Sequence, residues 1–287
     1  MSVDLPTARQ GVERYRRWAG YALRYAVLLV VAGIVVFPIY MTVVNSLLSS
    51  TSIIAWPPEL FPFDPQWDNF RKALDEVPLM RYMLNSLIMA GVIVIGQLVT
   101  SALAAYAFAF LRFPGRTFLF ILFLSTLMVP WEVSIVPNFQ TIQRLDWLDS
   151  YQALTVPFLA TGLGTFLLRQ HFLTIPQELR DAAAIDGYGH IRFLIFVVLP
   201  LSRAVLAALA VFGFLQAWNQ YLWPLLVTNE ENMRTVQIGL AALRGREVDT
   251  FNITMAATVI SALPILIMLV LFQRQLVRGL TAGALKG

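Results

Sequence analysis

The chain has 287 residues, of which 58% are hydrophobic and 13% charged, with a mean hydropathy of +0.68. Soluble domains carry about 25% charged side chains, so this composition excludes an ordinary globular protein and points to helices that live in lipid. The net charge of +4 is too small and too scattered to argue for nucleic acid, and with no cysteine the chain can form neither a disulfide nor a thiolate metal site.

Residues 1–24, opening MSVDLPTARQGVERYRRW, form a long polar segment. The apolar run behind it is too long for the hydrophobic part of a signal peptide, which predicts a retained first helix. Six apolar runs follow: Tyr25 to Leu48, Met83 to Leu111, Thr117 to Val136, Tyr151 to Leu168, Ser202 to Val227 and Ile253 to Phe272. Each reaches roughly the 20 residues that a helix needs to cross the hydrocarbon core. None alternates at period two as a barrel strand would. The expected fold is an all-α, polytopic membrane bundle of six helices, one unit over residues 25–287.

Arginine placement orients it, because basic residues close to span ends stay on the cytoplasmic side. Arg9, Arg14, Arg16, Arg17 and Arg24 precede the first run, and Arg112 and Arg116 separate the second and third. Arg169, Arg180, Arg192 and Arg203 surround the connection from the fourth to the fifth, and Arg274, Arg278 and Lys286 follow the sixth. The alternate connections dilute their basic residues with acids, from Glu59 and Asp64 to Glu247 and Asp249. Both termini are expected to be cytoplasmic.

On the opposite side, the stretch SIIAWPPELFPFDPQWDNFRKAL combines prolines and aromatics suited to an interfacial segment, then a short amphipathic helix around Asp68 to Glu76. Back on the cytoplasmic side, Phe113-Pro-Gly-Arg116 between the second and third runs reads as a tight hairpin reversal. The longest cytoplasmic connection contains ELRDAAAIDGYGHIRFLIFVVLPLS, from Glu178 to Ser202. A helix over Glu178 to Ile185 is expected, with Pro176 suited to its start and Gly187 and Gly189 to its end. Its alanine face lets a partner approach closely, and Glu178, Asp181 and Asp186 offer that partner negative charge.

Polar residues within the apolar runs face either a cavity or another helix. Gln216, Asn219 and Gln220 interleave with Trp218, Tyr221 and Trp223 in the fifth run. Asn85 and Gln97 lie in the second, and Glu132 sits between Pro130 and Pro137 at the end of the third. On a continuous helix Gln216 shares a face with both Asn219 and Gln220. The cluster Gln216, Trp218, Asn219, Gln220 and Trp223, with Glu132, is therefore a candidate substrate pathway, the alternative being helix-to-helix packing. Pro130, Pro137 and Pro224 are positioned to kink or end helices.

Catalytic constellations are absent from this reading. His171 and His190 are the only histidines, no metal-ligand spacing is present, and with Lys72 and Lys286 as the only lysines there is no phosphate-binding GxxxxGK[ST] loop. DAAAIDG has the Asp-Gly element of membrane phosphotransferases without their further DxxxD pair. A secondary transporter would usually show repeats and intramembrane ionisable residues. No repeat is visible, and Glu132 is the only mid-chain acid near a span.

The pattern DAAAIDGYGHIRFLIFVVLP resembles the EAA loop of permease subunits of ATP-binding-cassette (ABC) importers, in which EAA, two residues and DG precede a hydrophobic-x-LP ending. Asp181-Ala182-Ala183 stands for EAA, Asp186-Gly187 for DG, and Val197 to Pro200 closes the motif over about 176–200. Asp181 in place of Glu keeps the charge on a shorter arm, and Tyr188 stands where a small residue is common. The tail RQLVRGLTAGALKG is similar to that of carbohydrate importers of the maltose type. TLMVPWEVSIVP, LDSYQALTVP and WNQYLWPLLV are most similar to second permease subunits of sn-glycerol-3-phosphate importers.

This resemblance implies a type I importer permease fold in a bacterial cytoplasmic (inner) membrane. It implies a non-enzymatic chain that binds no cofactor itself, ATP and Mg residing on partners. The implied partners are a sister permease, two ATPase subunits and an external substrate-binding protein. Glu178, Asp181, Ala182, Ala183, Asp186 and Gly187 would then belong to a coupling helix seated on the ATPase. The implied cargo is glycerol-3-phosphate or related glycerophosphodiesters, with a neutral sugar as the alternative.

Overall fold

The computed structural model describes residues 8–244 and 250–281, with side chains over 18–244 and 250–275. The charges of Arg246, Glu247, Asp249 and Lys286, and the last residues of the tail motif, lie outside the described residues; for Arg9, Arg14, Arg16, Arg17 and Arg278 only the backbone is described. The described residues are largely helical and contain no strand. In chain order they form α1 (Ala8–Leu47), α2 (Ser50–Ile53), α3 (Asp68–Glu76), α4 (Leu79–Phe110), α5 (Arg116–Ser125), α6 (Trp131–Arg144), α7 (Tyr151–Thr155), α8 (Gly162–Phe172), α9 (Gln177–Ile185), α10 (His190–Phe193), α11 (Leu199–Leu201), α12 (Arg203–Trp218), α13 (Leu222–Val227), α14 (Val236–Arg244) and α15 (Phe251–Thr281).

Three stretches are long and apolar enough to span a membrane unaided: Trp18–Leu47, Leu79–Phe110 and Phe251–Gln275. Counting each of three bent pairs as one span brings the total to six. The run expected from Thr117 to Val136 as one helix is two rods. Arg116–Met128 and Trp131–Arg144 meet at 95°. Pro130 causes the interruption: it has no N–H for the ladder and holds Val129 extended, with φ −82° and ψ 113°, so the helix must stop and restart.

The fourth run bends by 44° between Tyr151–Phe158 and Gly162–Phe172. The fifth, expected to continue from Ser202 to Val227, stops at Trp218 and resumes at Leu222. A further bend of 81° separates His190–Leu201 from Arg203–Trp218, just after Pro200.

Helix α4 is the post around which the rest assembles. Leu79, Tyr82 and Met83 pack with α14, α15 and Trp218; Met89, Ala90 and Ile93 pack with Ala153, Leu154, Trp223 and Val227; Ala102, Ala105 and Tyr106 pack with Leu168, Phe172, Ala183 and Phe193. These positions recur three or four apart and form one stripe. The opposite stripe, through Leu84, Leu87, Val92, Ile95, Val99 and Leu103, is exposed apolar surface of the kind lipid covers. Because hydrocarbon is no worse a neighbour for Leu than protein is, close packing and polar bonds decide which stripe turns inward.

Those polar bonds are concentrated at the α3 end. Asn85, fully buried, donates Nδ2 to the carbonyls of Asn232 (2.8 Å) and Arg234 (2.9 Å) and accepts the Tyr151 hydroxyl at 2.7 Å. Ser86 Oγ accepts the Val236 N–H. Asn69 donates to the Ser46 and Leu48 carbonyls and accepts from Asn252, joining α1, α3 and α15.

On α3 itself, the Lys72 ammonium first of all holds the Asp68 carboxyl below its usual range; desolvation opposes it, and Arg71 adds to the lowering. A depressed folded value means that this support is in place above the unfolded value of about 3.9. It is lost as pH falls through the lowered one.

Candidate functional site

The connection between α8 and α12 begins with Pro176 as the cap before α9, with Leu179 N–H bonding the Pro176 carbonyl. Helix α9 ends because Gly187 takes φ +78°, which lets the Gly187 N–H reach the Ala184 carbonyl and the Tyr188 N–H reach the Ala183 carbonyl. This double closure satisfies orphan carbonyls and turns the chain sharply. On the inner side of α9, Ala183 is buried among Ala102, Ala105, Phe172 and Phe193, where any larger residue would push α9 off α4. Arg180 anchors the same side through the Phe110 carbonyl at 3.2 Å.

Glu178, Asp181, Ala182, Asp186 and Gly187 all lie exposed, and Ile185 is 87% exposed. None of the three carboxylates makes a hydrogen bond or ion pair with the described chain. After α9, His190 Nδ1 and the Tyr106 hydroxyl lie 3.0 Å apart, and residues Leu194–Val198 form a π-helical turn. Fully buried Ser202, bonded through Oγ to the Val198 carbonyl, marks the corner into α12. One continuous piece of backbone thus links an exposed acidic and alanine-rich helix to α12.

The far end of α12 borders a cavity of about 640 Å³. Its walls come from α4 (Gln97, Ser101), the start of α6 (Trp131, Glu132), the breaks around Phe158 and Thr161, and α12 with the segment after it (Gly213, Gln216, Gln220, Tyr221, Trp223). The breaks create the polar wall. Carbonyls freed at Phe158 and Leu159 are taken by Gln97 Nε2 at 3.0 Å and Thr100 Oγ1 at 2.8 Å, as irregular backbone at membrane depth requires.

Trp131, Phe158 and Trp223 form a ring cluster with centroids 4.6 to 6.0 Å apart, locked by Trp223 Nε1 on the Ala153 carbonyl at 2.9 Å. Ser101 Oγ and Gln220 Oε1 are buried without a hydrogen-bond partner. Buried oxygens of this kind cost free energy unless water or a ligand reaches them. Among the described residues the cavity wall carries no Arg, Lys or His, and Glu132 is the one carboxyl there.

Of the residues singled out from sequence, Gln216, Gln220, Trp223 and Glu132 meet at this cavity. Trp218 and Asn219 do not. Trp218 is 1% exposed and stacks on Phe214 in the cluster around Tyr82 and Leu240. Asn219 is the residue at which α12 ends, and its Nδ2 folds back onto the Leu215 carbonyl at 2.8 Å. The shared face of Gln216 and Asn219 presupposes a helix that continues, and this one stops. Ser101, Trp131 and Phe158 carry no sequence signal as strong. Ser101 is one turn beyond Gln97 in QLVTS, and that spacing is the trace it leaves. Among the described residues no group of three or more His, Asp or Glu could hold a metal ion.

Residues 83–282 match the family described as "Binding-protein-dependent transport system inner membrane component". The chain belongs to that family. As an inner membrane component it is a multi-pass membrane protein, and such components work in general with a partner permease, an ATPase and a binding protein.

Named relatives agree over most of the length. The "sn-glycerol-3-phosphate transport system permease protein UgpE" of Brucella abortus (strain 2308) is 42% identical over 268 residues, covering 88% of this inner membrane component and 94% of the relative. The protein of the same name from Pectobacterium atrosepticum is 41% identical over 254 residues, covering 86% and 90%. In fold, this inner membrane component is similar to a chain from the crystal structure of a bacterial ABC transporter involved in the import of the acidic polysaccharide alginate. The TM-score is 0.79 at 22% identity, with 90% of this chain and 97% of that one covered.

Proposed function

We propose that the chain is the second permease subunit of an ABC importer for sn-glycerol-3-phosphate or related glycerophosphodiesters. The observation that carries the substrate class is the 42% identity, over nearly the whole of both chains, to a permease of that name. In this reading both termini are cytoplasmic, and α9 is the coupling helix. Glu178, Asp181, Ala182, Ala183, Asp186 and Gly187 form or shape its contact with an ATPase.

The chain is a conduit and not an enzyme. ATP and Mg reside on two separate ATPase subunits, a sister permease completes the pathway, and an external binding protein delivers the cargo. Movement of the ATPase displaces α9, and the backbone through Ser202 transmits the displacement to α12 and the cavity. ATP then biases an equilibrium between inward-open and outward-open states.

Gln216, Gln220, Ser101 and the rings of Trp131 and Trp223 suit the hydroxyls and the carbon skeleton of a glycerol unit. The phosphate's charge falls to the sister subunit and the binding protein. One observation favours a second reading, a neutral sugar or oligosaccharide: among the described residues the cavity wall has a carboxyl and amides but no cation. Uptake by the reconstituted complex separates the two. ATP-dependent accumulation of glycerol-3-phosphate or its diesters, with none of neutral oligosaccharides, is the expected result; the reverse preference would overturn the assignment.

A further inference from the structure

The end of α4 that lies next to α9 gathers positive charge that nothing in the described chain neutralises. Arg116 Nη1 donates to the Leu111 carbonyl at 3.1 Å, Arg169 Nε to Phe108 at 3.2 Å and Arg180 Nη1 to Phe110 at 3.2 Å. Three guanidiniums thus converge on carbonyls within one turn of a single helix terminus, where the unpaired carbonyls and the helix dipole both favour cations. Each spends one N–H there and keeps the rest of its fork free. Arg169 also lies over the Phe120 ring, 4.0 Å from its centroid.

Arg112, exposed beside them, makes no hydrogen bond or ion pair with the described chain. The ion pairs among the described residues are both on Asp68, at the other end of α4. A cleft lined by Arg112, Phe113, Gly115, Arg116, Thr117 and Phe118 opens at this cluster.

The surface continuing from the cleft along α5 is apolar and outward facing: Phe118 is 68% exposed, Ile121 60% and Leu122 53%. A ligand that fits both parts has an anionic head for the arginine forks and hydrocarbon for α5. Guanidinium forks match phosphate oxygens geometrically as well as electrostatically. We propose that the Arg112–Phe118 cleft is a binding site for the phosphate headgroup of an anionic phospholipid, whose acyl chains lie along α5. The site is separate from the transport cavity, and it holds the turn between α4 and α5 to the membrane surface beside the arginines that anchor α9 and α8.

The test uses the full chain with the subunits that co-purify with it, delipidated and returned to bilayers of phosphatidylcholine with or without phosphatidylglycerol, and bound lipid is counted by native mass spectrometry. Phosphatidylglycerol should be retained over phosphatidylcholine, and 50-fold or greater excesses of inorganic phosphate should not displace it. Arg112→Gln should lower retention roughly five-fold, and Arg112→Lys should preserve most of it. Arg112 is exposed and bonded to nothing in the described chain, so the variant tests the site without endangering the fold.

Equal retention of the two lipids, or unchanged retention in Arg112→Gln, overturns the proposal. Displacement by phosphate alone makes it a site for free anions and overturns the lipid assignment. Loss of a co-purifying subunit from Arg112→Gln with lipid retention unchanged makes the cluster a protein contact, and equally overturns it.

Discussion

Asn85 shows how one amide can hold two parts of a membrane protein together. It is fully buried, yet its two N–H groups and its oxygen all find partners on other elements, the Asn232 and Arg234 carbonyls and the Tyr151 hydroxyl. Interhelical hydrogen bonds in membranes average about 0.6 kcal/mol each. Removing all three and orphaning their partners should therefore cost on the order of 2 kcal/mol. Asn85→Ala is expected to lower the Tm of the detergent-solubilised chain by a few degrees and to loosen the segment around residues 228–235. An unchanged Tm, with unchanged protease resistance of that segment, would show the bonds to be dispensable. In sequence Asn85 and Gln216 look alike, since each is an amide in an apolar run. They differ in what surrounds them: one is saturated by two carbonyls and a hydroxyl, the other borders open space.

At the scale of the element, α9 depends on its closure. A Cβ added at Gly187 would meet no atom within 4 Å, so crowding does not forbid a side chain there; the backbone does, through φ +78°. For a β-branched residue that conformation costs about 1–2 kcal/mol, and the chain would escape by opening the turn and reorienting α9. Gly187→Val should abolish substrate-stimulated ATP hydrolysis in the assembled importer while leaving membrane insertion intact, and Gly187→Asn, which tolerates the left-handed region, should retain much of it. Normal stimulation in the valine variant would sink the assignment of α9 as the coupling element. Helix α12 makes a related point. Its last turn ends at Trp218, and a Cβ at Gly213 would stand 2.7 Å from Gln97 Oε1, so α12 and α4 touch where the cavity begins.

For the molecule as a whole, alternating access requires that the cavity between α4, α6, α8 and α12 change its exposure as ATPase subunits cycle. The chain has no native cysteine, so introduced ones report cleanly. Gln216→Cys is expected to react with a water-soluble thiol reagent at a rate that changes between nucleotide-free and ATP-bound complex. Asn219→Cys, whose position lies off the cavity, should show no parallel change. If both vary together the cavity is not the route, and if neither reacts in any state Gln216 is a packing amide.

Much of this architecture is legible in the sequence alone, for reasons that lie in the solvent. Lipid demands about 20 apolar residues for each crossing and internal satisfaction of every backbone group, so the spans announce themselves in composition. Local signals are equally readable. Asp68–Glu76 forms the amphipathic helix its pattern predicts, and Pro176 and Gly187 bracket α9 because a fixed φ and a positive φ are properties of single residues. What sequence does not contain is direction after a break. Pro130 predicts an interruption, but the 95° that brings Trp131 and Glu132 to the cavity arises from packing against Phe158 and Trp223. Trp218 and Trp223, five residues apart and alike in type, part company because α12 stops between them, which turns one into the core around Tyr82 and the other into the cavity wall. Which polar and aromatic residues face the same space is a property of several helices at once, and only their assembly decides it.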